Sequence, residues 1–176
     1  MTDLHRELQL ATLTWLSSRT TRRGCASSIE IPFWDYIVDA GGLCRLQNRF
    51  WNSYNQKQEQ PNDLLCIFEV KVSRNDYKRT FVKDGVPFSP ARIASLEWIV
   101  TPSDIVMAID IPFGWGWLIK RGNGLSEIIK PRYYSVAEAN INKFAYAVLW
   151  SQKQSARNAR IRKIKEYNKL KGGAEK

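Results

Sequence analysis

One short apolar run constrains the fold of this chain more than any other stretch. Residues 64–72 read Leu-Leu-Cys-Ile-Phe-Glu-Val-Lys-Val, which is typical of a strand buried on both faces apart from its two charges. Because side chains alternate along a strand, Glu69 and Lys71 point to the same side. Two charges in an apolar strand cost desolvation free energy, and they fit either a structural ion pair or a catalytic site.

The size and charge of the chain limit its architecture and its partners. Its 176 residues, 44% of them hydrophobic, suffice for one domain with a buried core. The formal net charge of +10 favours a polyanionic partner. Residues 153–176 hold nine Lys and Arg against two Glu, so we divide the chain into a domain at residues 1–152 and a basic C-terminal helix or tail at residues 153–176.

The cysteines and the single histidine argue against several kinds of site. Cys25, Cys44 and Cys66 are odd in number and far apart, so we expect reduced thiols and a cytoplasmic protein. No apolar run reaches about 18 residues, so no membrane partner is expected. His5 is the only histidine, which leaves a His–metal cluster or a Ser-His-Asp triad without the residues it needs. We interpret His5 as a surface residue of a helix.

The first forty residues predict one helix and two short strands. Apolar residues recur at helical spacing near the N-terminus: Leu4, Leu8, Ala11 and Trp15. Strands are expected at residues 28–31 and 35–40. Asp39 precedes Gly41-Gly42, which indicates a turn, so we expect its carboxylate at the end of a strand and facing a cleft.

The rest of the chain predicts an insertion, further strands and a long helix. The insertion covers residues 47–63, with a helical piece around Phe50 and Tyr54. We expect its aromatic side chains to anchor it to the core, and base stacking is the alternative. Another strand is expected at residues 96–100. A capping box of Ser135 and Glu138 begins the last helix, which turns basic along its length.

Asp39, Glu69 and Lys71 together suit phosphodiester hydrolysis. Carboxylate oxygens are ligands that Mg²⁺ prefers, and Mn²⁺ accepts the same donors. A metal held by Asp39 and Glu69 lowers the pKa of a bound water and neutralises charge on the phosphoryl oxygens. Lys71 then orients the nucleophile or stabilises the developing charge. This chemistry needs no histidine.

Asp39 followed at a distance by Glu69-x-Lys71 resembles the PD-(D/E)XK nuclease superfamily. Residues 68–77, Phe-Glu-Val-Lys-Val-Ser-Arg-Asn-Asp-Tyr, resemble the Glu-x-Lys-x-Ser-x-x-Asp-Phe signature of MmcB-like DNA repair proteins and their phage relatives. Residues 96–102 and 114–118 are similar to the second half of that family. The resemblance implies an α/β, restriction-endonuclease-like fold, in which helices flank a mixed central sheet. A long basic C-terminal helix is expected in addition.

The resemblance also implies roles for particular residues. Asp39 and Glu69 become metal ligands together with the backbone carbonyl of Val70, and the metal is Mg²⁺ or Mn²⁺. Lys71 becomes the catalytic lysine, and Ser73 becomes a polar group that supports these residues.

Three further carboxylates are candidate metal ligands. Glu30 lies on the strand before Asp39, where such nucleases sometimes carry another acid. Glu7 lies beside the N-terminal apolar stripe, where a solvated helix face is the other interpretation. Asp35 shares the strand face of Asp39 and is the alternative to it as a ligand.

We therefore expect a metal-dependent nuclease that acts on DNA in repair or in phage DNA processing, in a bacterial or phage-infected cell. The alternatives are a catalytically silent nucleic-acid-binding module of the same fold, and an interaction protein with a basic tail. The oligomeric state stays open. The residues expected to contact nucleic acid are basic: Arg22, Arg23, Arg74, Lys78, Arg79, Arg157, Arg160, Arg162, Lys163 and Lys165.

Overall fold

The chain contains four α-helices and eight strands within its described residues. The computed structural model describes residues 3–33, 36–54, 59–61, 63–83, 86–87, 93–103 and 105–172, and their side chains except at 22–24, 36, 86–87, 139, 164 and 167–172. The helices are α1 (Asp3–Ser17), α2 (Asn48–Tyr54), α3 (Arg74–Phe81) and α4 (Glu138–Gly172), with a short 3-10 helix at Ala108–Asp110. The strands are β1 (Thr20–Phe33), β2 (Tyr36–Leu46), β3 (Leu64–Val70), β4 (Val82–Lys83), β5 (Val86–Pro87), β6 (Leu96–Thr101), β7 (Gly116–Arg121) and β8 (Gly124–Ile129).

One mixed sheet forms the centre of the molecule. Within the described residues its order is β1-β2-β3-β6-β7-β8, and β4 pairs with β5 separately. The pairs β1–β2, β2–β3 and β7–β8 are antiparallel. The pairs β3–β6 and β6–β7 are parallel. The expected α/β class with a mixed sheet is thereby confirmed.

Helices cover both faces of this sheet. One core cluster joins α1 and α2 to the strands and includes Leu8, Trp15, Trp51, Phe68 and Trp98. A second joins α4 to the other face and includes Phe144, Val148, Leu65 and Ile67. A third joins α3 to the same sheet through Tyr77, Phe81, Ile99 and Ile119. Because side chains alternate along a strand, Trp98 and Ile99 mark opposite faces, so the helices form a layer on each side.

β3 is the predicted central strand, and both of its faces are buried. Cys66 and Phe68 belong to the cluster with α1, whereas Leu65 and Ile67 belong to the cluster with α4. Neighbouring strands pair with it on both sides. The continuous apolar run thus predicted its place correctly.

Asp39 does not lie at the end of a strand, which corrects the sequence-based expectation. β2 continues through Gly41 and Gly42 to Leu46. A Cβ on Gly41 would meet the Cys66 carbonyl oxygen and Phe144 Cζ at 2.9 Å each. A Cβ on Gly42 would meet Cys25 Sγ at 2.7 Å. The two glycines therefore allow close packing around β2 and do not form a turn.

Replacing Gly41 by alanine should lower the free energy of unfolding by about 1–3 kcal/mol, because the methyl group overpacks the contact between β2, β3 and α4. Gly124 is the matched control, since a Cβ there has nothing within 4 Å. Gly124→Ala should change the free energy of unfolding by no more than about 0.5 kcal/mol. Urea denaturation measures both, and equal effects of the two substitutions would contradict the close-packing explanation.

Two of the three cysteines are bonded to each other, which makes the expectation of reduced thiols wrong for them. Cys25 of β1 and Cys44 of β2 lie opposite each other in the antiparallel register and form a disulfide. Cys66 is a free, buried thiol. Spacing along the chain could not predict the pair, because it depends on how β1 and β2 align.

The other predicted elements have mixed outcomes. β1 and β6 contain the strands expected at residues 28–31 and 96–100. α2 is the helical piece of the insertion, and its Trp51 is buried against Tyr133. α4 begins at Glu138, so Ser135 precedes the helix and does not form the predicted cap.

In the described part of the chain no helix is long and apolar enough to cross a membrane.

Candidate active site

Glu69 and Lys71 form an ion pair where β3 ends. Lys71 Nζ lies 3.3 Å from Glu69 Oε2, and the side chains of Lys71 and Glu69 are 9% and 16% exposed. The backbone N–H of Lys71 donates to the Val100 carbonyl at 2.9 Å, which extends the β3–β6 pairing by one residue. The sheet therefore holds both charges in place, on the same side as the alternation predicted.

Asp39 reaches this pair from the neighbouring strand. Its Oδ2 accepts a hydrogen bond from the Val70 backbone N–H at 2.8 Å. The pairing of β2 with β3 ends at Ala40 opposite Phe68, so the carboxylate bridges the two strands just beyond their last paired residues. A carboxylate inside a strand needs such a partner to offset its desolvation.

Burial raises the pKa of Glu69 from an ordinary 4.5 to about 7. The charge of Lys71 and the hydrogen bond from it act in the opposite direction. The negative charge of Asp39 and a hydrogen bond with it raise the pKa of Glu69 again. The two carboxyl groups are thus close enough to share one cation.

His5 belongs to this site, which corrects its interpretation as a surface residue. His5 Nε2 lies 3.3 Å from Asp39 Oδ1, and the two side chains are 18% and 17% exposed. Both residues line an open depression of about 490 Å³ between α1 and the sheet. The packing of α1 on the sheet, which the apolar stripe predicts only in outline, turns His5 towards β2.

Gln9 lines the same depression and was not predicted. It is fully buried, and within the described residues neither polar atom of its amide has a hydrogen-bond partner. His5 and Gln9 are four residues apart, so they share one side of α1. That spacing is visible in the sequence, but it does not show which strand the two side chains face.

The three additional carboxylates have different positions. Glu30 lies between Ile29, which pairs with Ala40, and Ile31, which pairs with Val38. It also lines the depression. Its φ of 51° is in the left-handed region, which a side chain disfavours. Glu7 instead forms an ion pair with Lys120 at 2.5 Å. Asp35 lies outside the described residues.

Ser73 supports the site through the backbone. It is the N-cap of α3, and its hydroxyl accepts a hydrogen bond from the Asp76 N–H at 3.1 Å. Asp76 Oδ2 in turn accepts from the Val72 N–H at 3.3 Å. These two bonds fix the turn that directly follows Lys71.

The predicted basic contacts lie on two helices. On α3, Arg74 donates to the Ile105 carbonyl at 3.1 Å and lies 3.5 Å from Asp110 Oδ2. Lys78 and Arg79 of α3 are exposed. The basic residues of α4 are exposed as well: Arg157, Arg160, Arg162, Lys163 and Lys165. The side chains of Arg22 and Arg23 lie outside the described part of the structure.

The donor atoms at this site suit a hard divalent cation. Asp39 and Glu69 offer carboxylate oxygens, and the carbonyl of Val70 lies between Glu69 and Lys71 in the chain. Over the described ranges, no group of three or more His, Cys, Asp or Glu side chains could hold a metal by itself. A cation held here would therefore need water or substrate oxygens to complete its coordination, which is usual for Mg²⁺.

Comparison with known proteins bears on the fold. No family model and no curated protein matches the chain. One solved structure, the SPO1766 protein of unknown function from Silicibacter pomeroyi, matches with a TM-score of 0.59 at 15% identity. The match covers 90% of this chain and 94% of that one. At this identity the likeness shows a shared α/β fold and nothing about activity.

Proposed function

We propose that this chain is a metal-dependent nuclease of the PD-(D/E)XK type that hydrolyses phosphodiester bonds in DNA. The observation that carries the proposal is the convergence of Asp39, Glu69 and Lys71 where β3 ends. Asp39 bridges to the backbone of Val70 at 2.8 Å, and Lys71 lies 3.3 Å from Glu69. Clustered, desolvated charges of this kind are more frequent at reaction centres than in structural strands.

Each residue has a distinct task in the proposed reaction. Asp39, Glu69 and the carbonyl of Val70 hold Mg²⁺ or Mn²⁺, which when bound supplies an acidified water and neutralises phosphate charge. The Lys71 ammonium orients the attacking oxygen and stabilises negative charge on the phosphate as the bond breaks. His5 fixes the orientation of the Asp39 carboxylate through its 3.3 Å contact with Oδ1.

The resemblance to MmcB-like proteins and their phage relatives supports DNA repair or phage DNA processing as the setting. The positive charge of the chain supports DNA as partner, since phosphate contacts contribute much of the affinity in such complexes. Lys78 and Arg79 of α3 and the five exposed α4 cations from Arg157 to Lys165 would supply these contacts without reading sequence.

Asp39→Asn tests the metal site directly. The amide oxygen of the introduced asparagine can still accept from the Val70 N–H, so the fold should survive, while the lost charge should reduce cleavage at least about a hundredfold. Supercoiled plasmid, linear duplex and single-stranded DNA are incubated with wild type and variant, in Mg²⁺, Mn²⁺ or EDTA. Asp63→Asn changes an exposed residue, is purified in the same way and serves as the control.

The outcomes separate the proposal from its alternative. Cleavage that requires metal, persists in Asp63→Asn and is lost in Asp39→Asn supports the nuclease. If all three proteins bind DNA equally but none cleaves it in any condition, the chain is a nucleic-acid-binding module and the nuclease proposal is rejected.

A further inference from the structure

A second groove lies beside the depression that contains Asp39. It has a volume of about 580 Å³ and is bounded by Arg6 of α1, by Ile29 and Glu30 of β1, and by one face of α4. Glu30 lines both the groove and the depression. The groove and the depression therefore adjoin at Glu30.

Hydrogen bonds hold α4 against β1 at this groove. Ser151 Oγ donates to the Ile29 carbonyl at 2.9 Å and lies 3.0 Å from Ser28 Oγ. Gln152 Nε2 donates to the Ser27 carbonyl at 2.9 Å. The wall that α4 provides is thus anchored to the sheet, so the groove has a defined shape.

The side of α4 that packs in the core continues into the groove, where its residues become polar: Ser151, Ser155 and Arg162 follow Phe144 and Val148 at helical spacing. Phe144 and Val148, which precede the groove, are buried. Residues of the groove then recur at every fourth position: Trp150, Gln154, Asn158 and Arg162. A helix face that carries an aromatic ring, amides and a cation towards its own domain is suited to a polar ligand and not to core packing.

Charge and exposure indicate the class of ligand. The groove is lined by three cations and two carboxylates: Arg6, Arg162, Lys163, Glu30 and Glu166. Arg162 forms an ion pair with Glu166 at 3.3 Å, so Arg6 and Lys163 are the cations that remain for a ligand. Trp150 is 48% exposed, so its ring is available to a ligand. An exposed aromatic ring in a groove that also carries cations is typical of surfaces that bind unpaired nucleic acid, because every base can stack.

We propose that this groove binds a single strand of nucleic acid and directs it towards Asp39 and Glu69. Trp150 stacks on a base, and Arg6 and Lys163 contact phosphates. A duplex keeps its bases stacked on one another and offers mainly its outer phosphates, so it cannot use Trp150 in this way. Binding in the groove is independent of the proposed nuclease, whereas delivery of the strand to the active site rests on it.

Fluorescence anisotropy with a labelled oligonucleotide, single-stranded or as duplex, measures binding in EDTA, where no cleavage occurs. Trp150→Ala and Lys163→Ala should each weaken single-strand binding about tenfold. Tyr146→Ala and Lys153→Ala are the matched controls, since both residues are exposed on α4 and neither lines the groove. The controls should change affinity less than about twofold.

The result also shows which proposal fails. If Trp150→Ala weakens binding no more than Tyr146→Ala, or if wild type prefers the duplex, the groove is not a single-strand site. Groove variants that lose binding in a protein without any cleavage activity support the groove and reject the nuclease. A wild type that cleaves DNA while all four variants bind equally rejects the groove and leaves the nuclease standing.

Discussion

Replacing Lys71 by methionine should lower the rate of metal-dependent cleavage by about a hundredfold to ten-thousandfold, while metal affinity stays nearly unchanged. The ammonium of Lys71 acts on the nucleophile and on the phosphate, whereas the metal is held by Asp39, Glu69 and the carbonyl of Val70. Loss of the ammonium removes stabilisation that is needed only in the transition state.

Methionine is the informative replacement, because the Lys71 side chain is only 9% exposed and an unbranched apolar chain fills the same space. The loss of the positive partner raises the pKa of Glu69 further, so metal affinity is measured well above pH 7. Calorimetric titration with Mn²⁺ gives the affinity, and single-turnover cleavage gives the rate.

Lys120→Met is the control, since Lys120 also forms an ion pair with a glutamate, Glu7, outside the proposed site. It should cleave within about twofold of wild type, as expected for a site that takes no part in catalysis. Unchanged cleavage in Lys71→Met, or equal loss of cleavage in both variants, would remove Lys71 from the mechanism.

The sequence predicts those features of this molecule that depend on local pattern. The apolar run that contains Phe68 identifies β3, and the spacing of Leu8 and Trp15 identifies α1, because each pattern is set by one element burying its own side chains. The charges of Glu69 and Lys71 then mark the site, since they interrupt an apolar run that is buried on both faces of the sheet.

The features that the sequence did not predict depend on contacts between distant parts of the chain. Gly41 was interpreted as part of a turn, whereas its lack of a side chain is required by Phe144 on α4. The Cys25–Cys44 disulfide depends on strand register. His5 meets Asp39 only because α1 packs across β2. Periodicity shows that a face is buried, but it does not show what that face meets.

Replacing Glu69 by glutamine should stabilise the metal-free protein at pH 8 by about 3 kcal/mol and leave it nearly unchanged at pH 4.5. The folded protein keeps a proton on Glu69 up to about pH 7, whereas the unfolded chain releases it near 4.5. Unfolding therefore releases a proton within this window, and the free energy of unfolding of wild type falls as the pH rises through it.

Glutamine resembles the protonated carboxyl group and can still accept a hydrogen bond from Lys71, so it removes the titration with little change in shape. The free energy of unfolding is measured by urea denaturation in EDTA from pH 4.5 to 8. Glu59→Gln, at an exposed position, should follow the pH profile of wild type.

Mg²⁺ should nearly cancel this difference. A cation that binds only the folded protein stabilises it by about 2.7 kcal/mol at a hundred times its dissociation constant, and this gain requires ionised Glu69. Wild type should therefore recover stability at pH 8 when Mg²⁺ is added, and Glu69→Gln should not.

Parallel pH profiles of wild type and Glu69→Gln would show that Glu69 ionises normally in the fold. If Mg²⁺ leaves the free energy of unfolding of wild type at pH 8 unchanged, a metal site at Glu69 is contradicted. A charged Glu69 inside β3 lowers the free energy of unfolding, and a bound metal ion would offset that loss. A carboxylate with a purely structural role at the same position would have no such compensation.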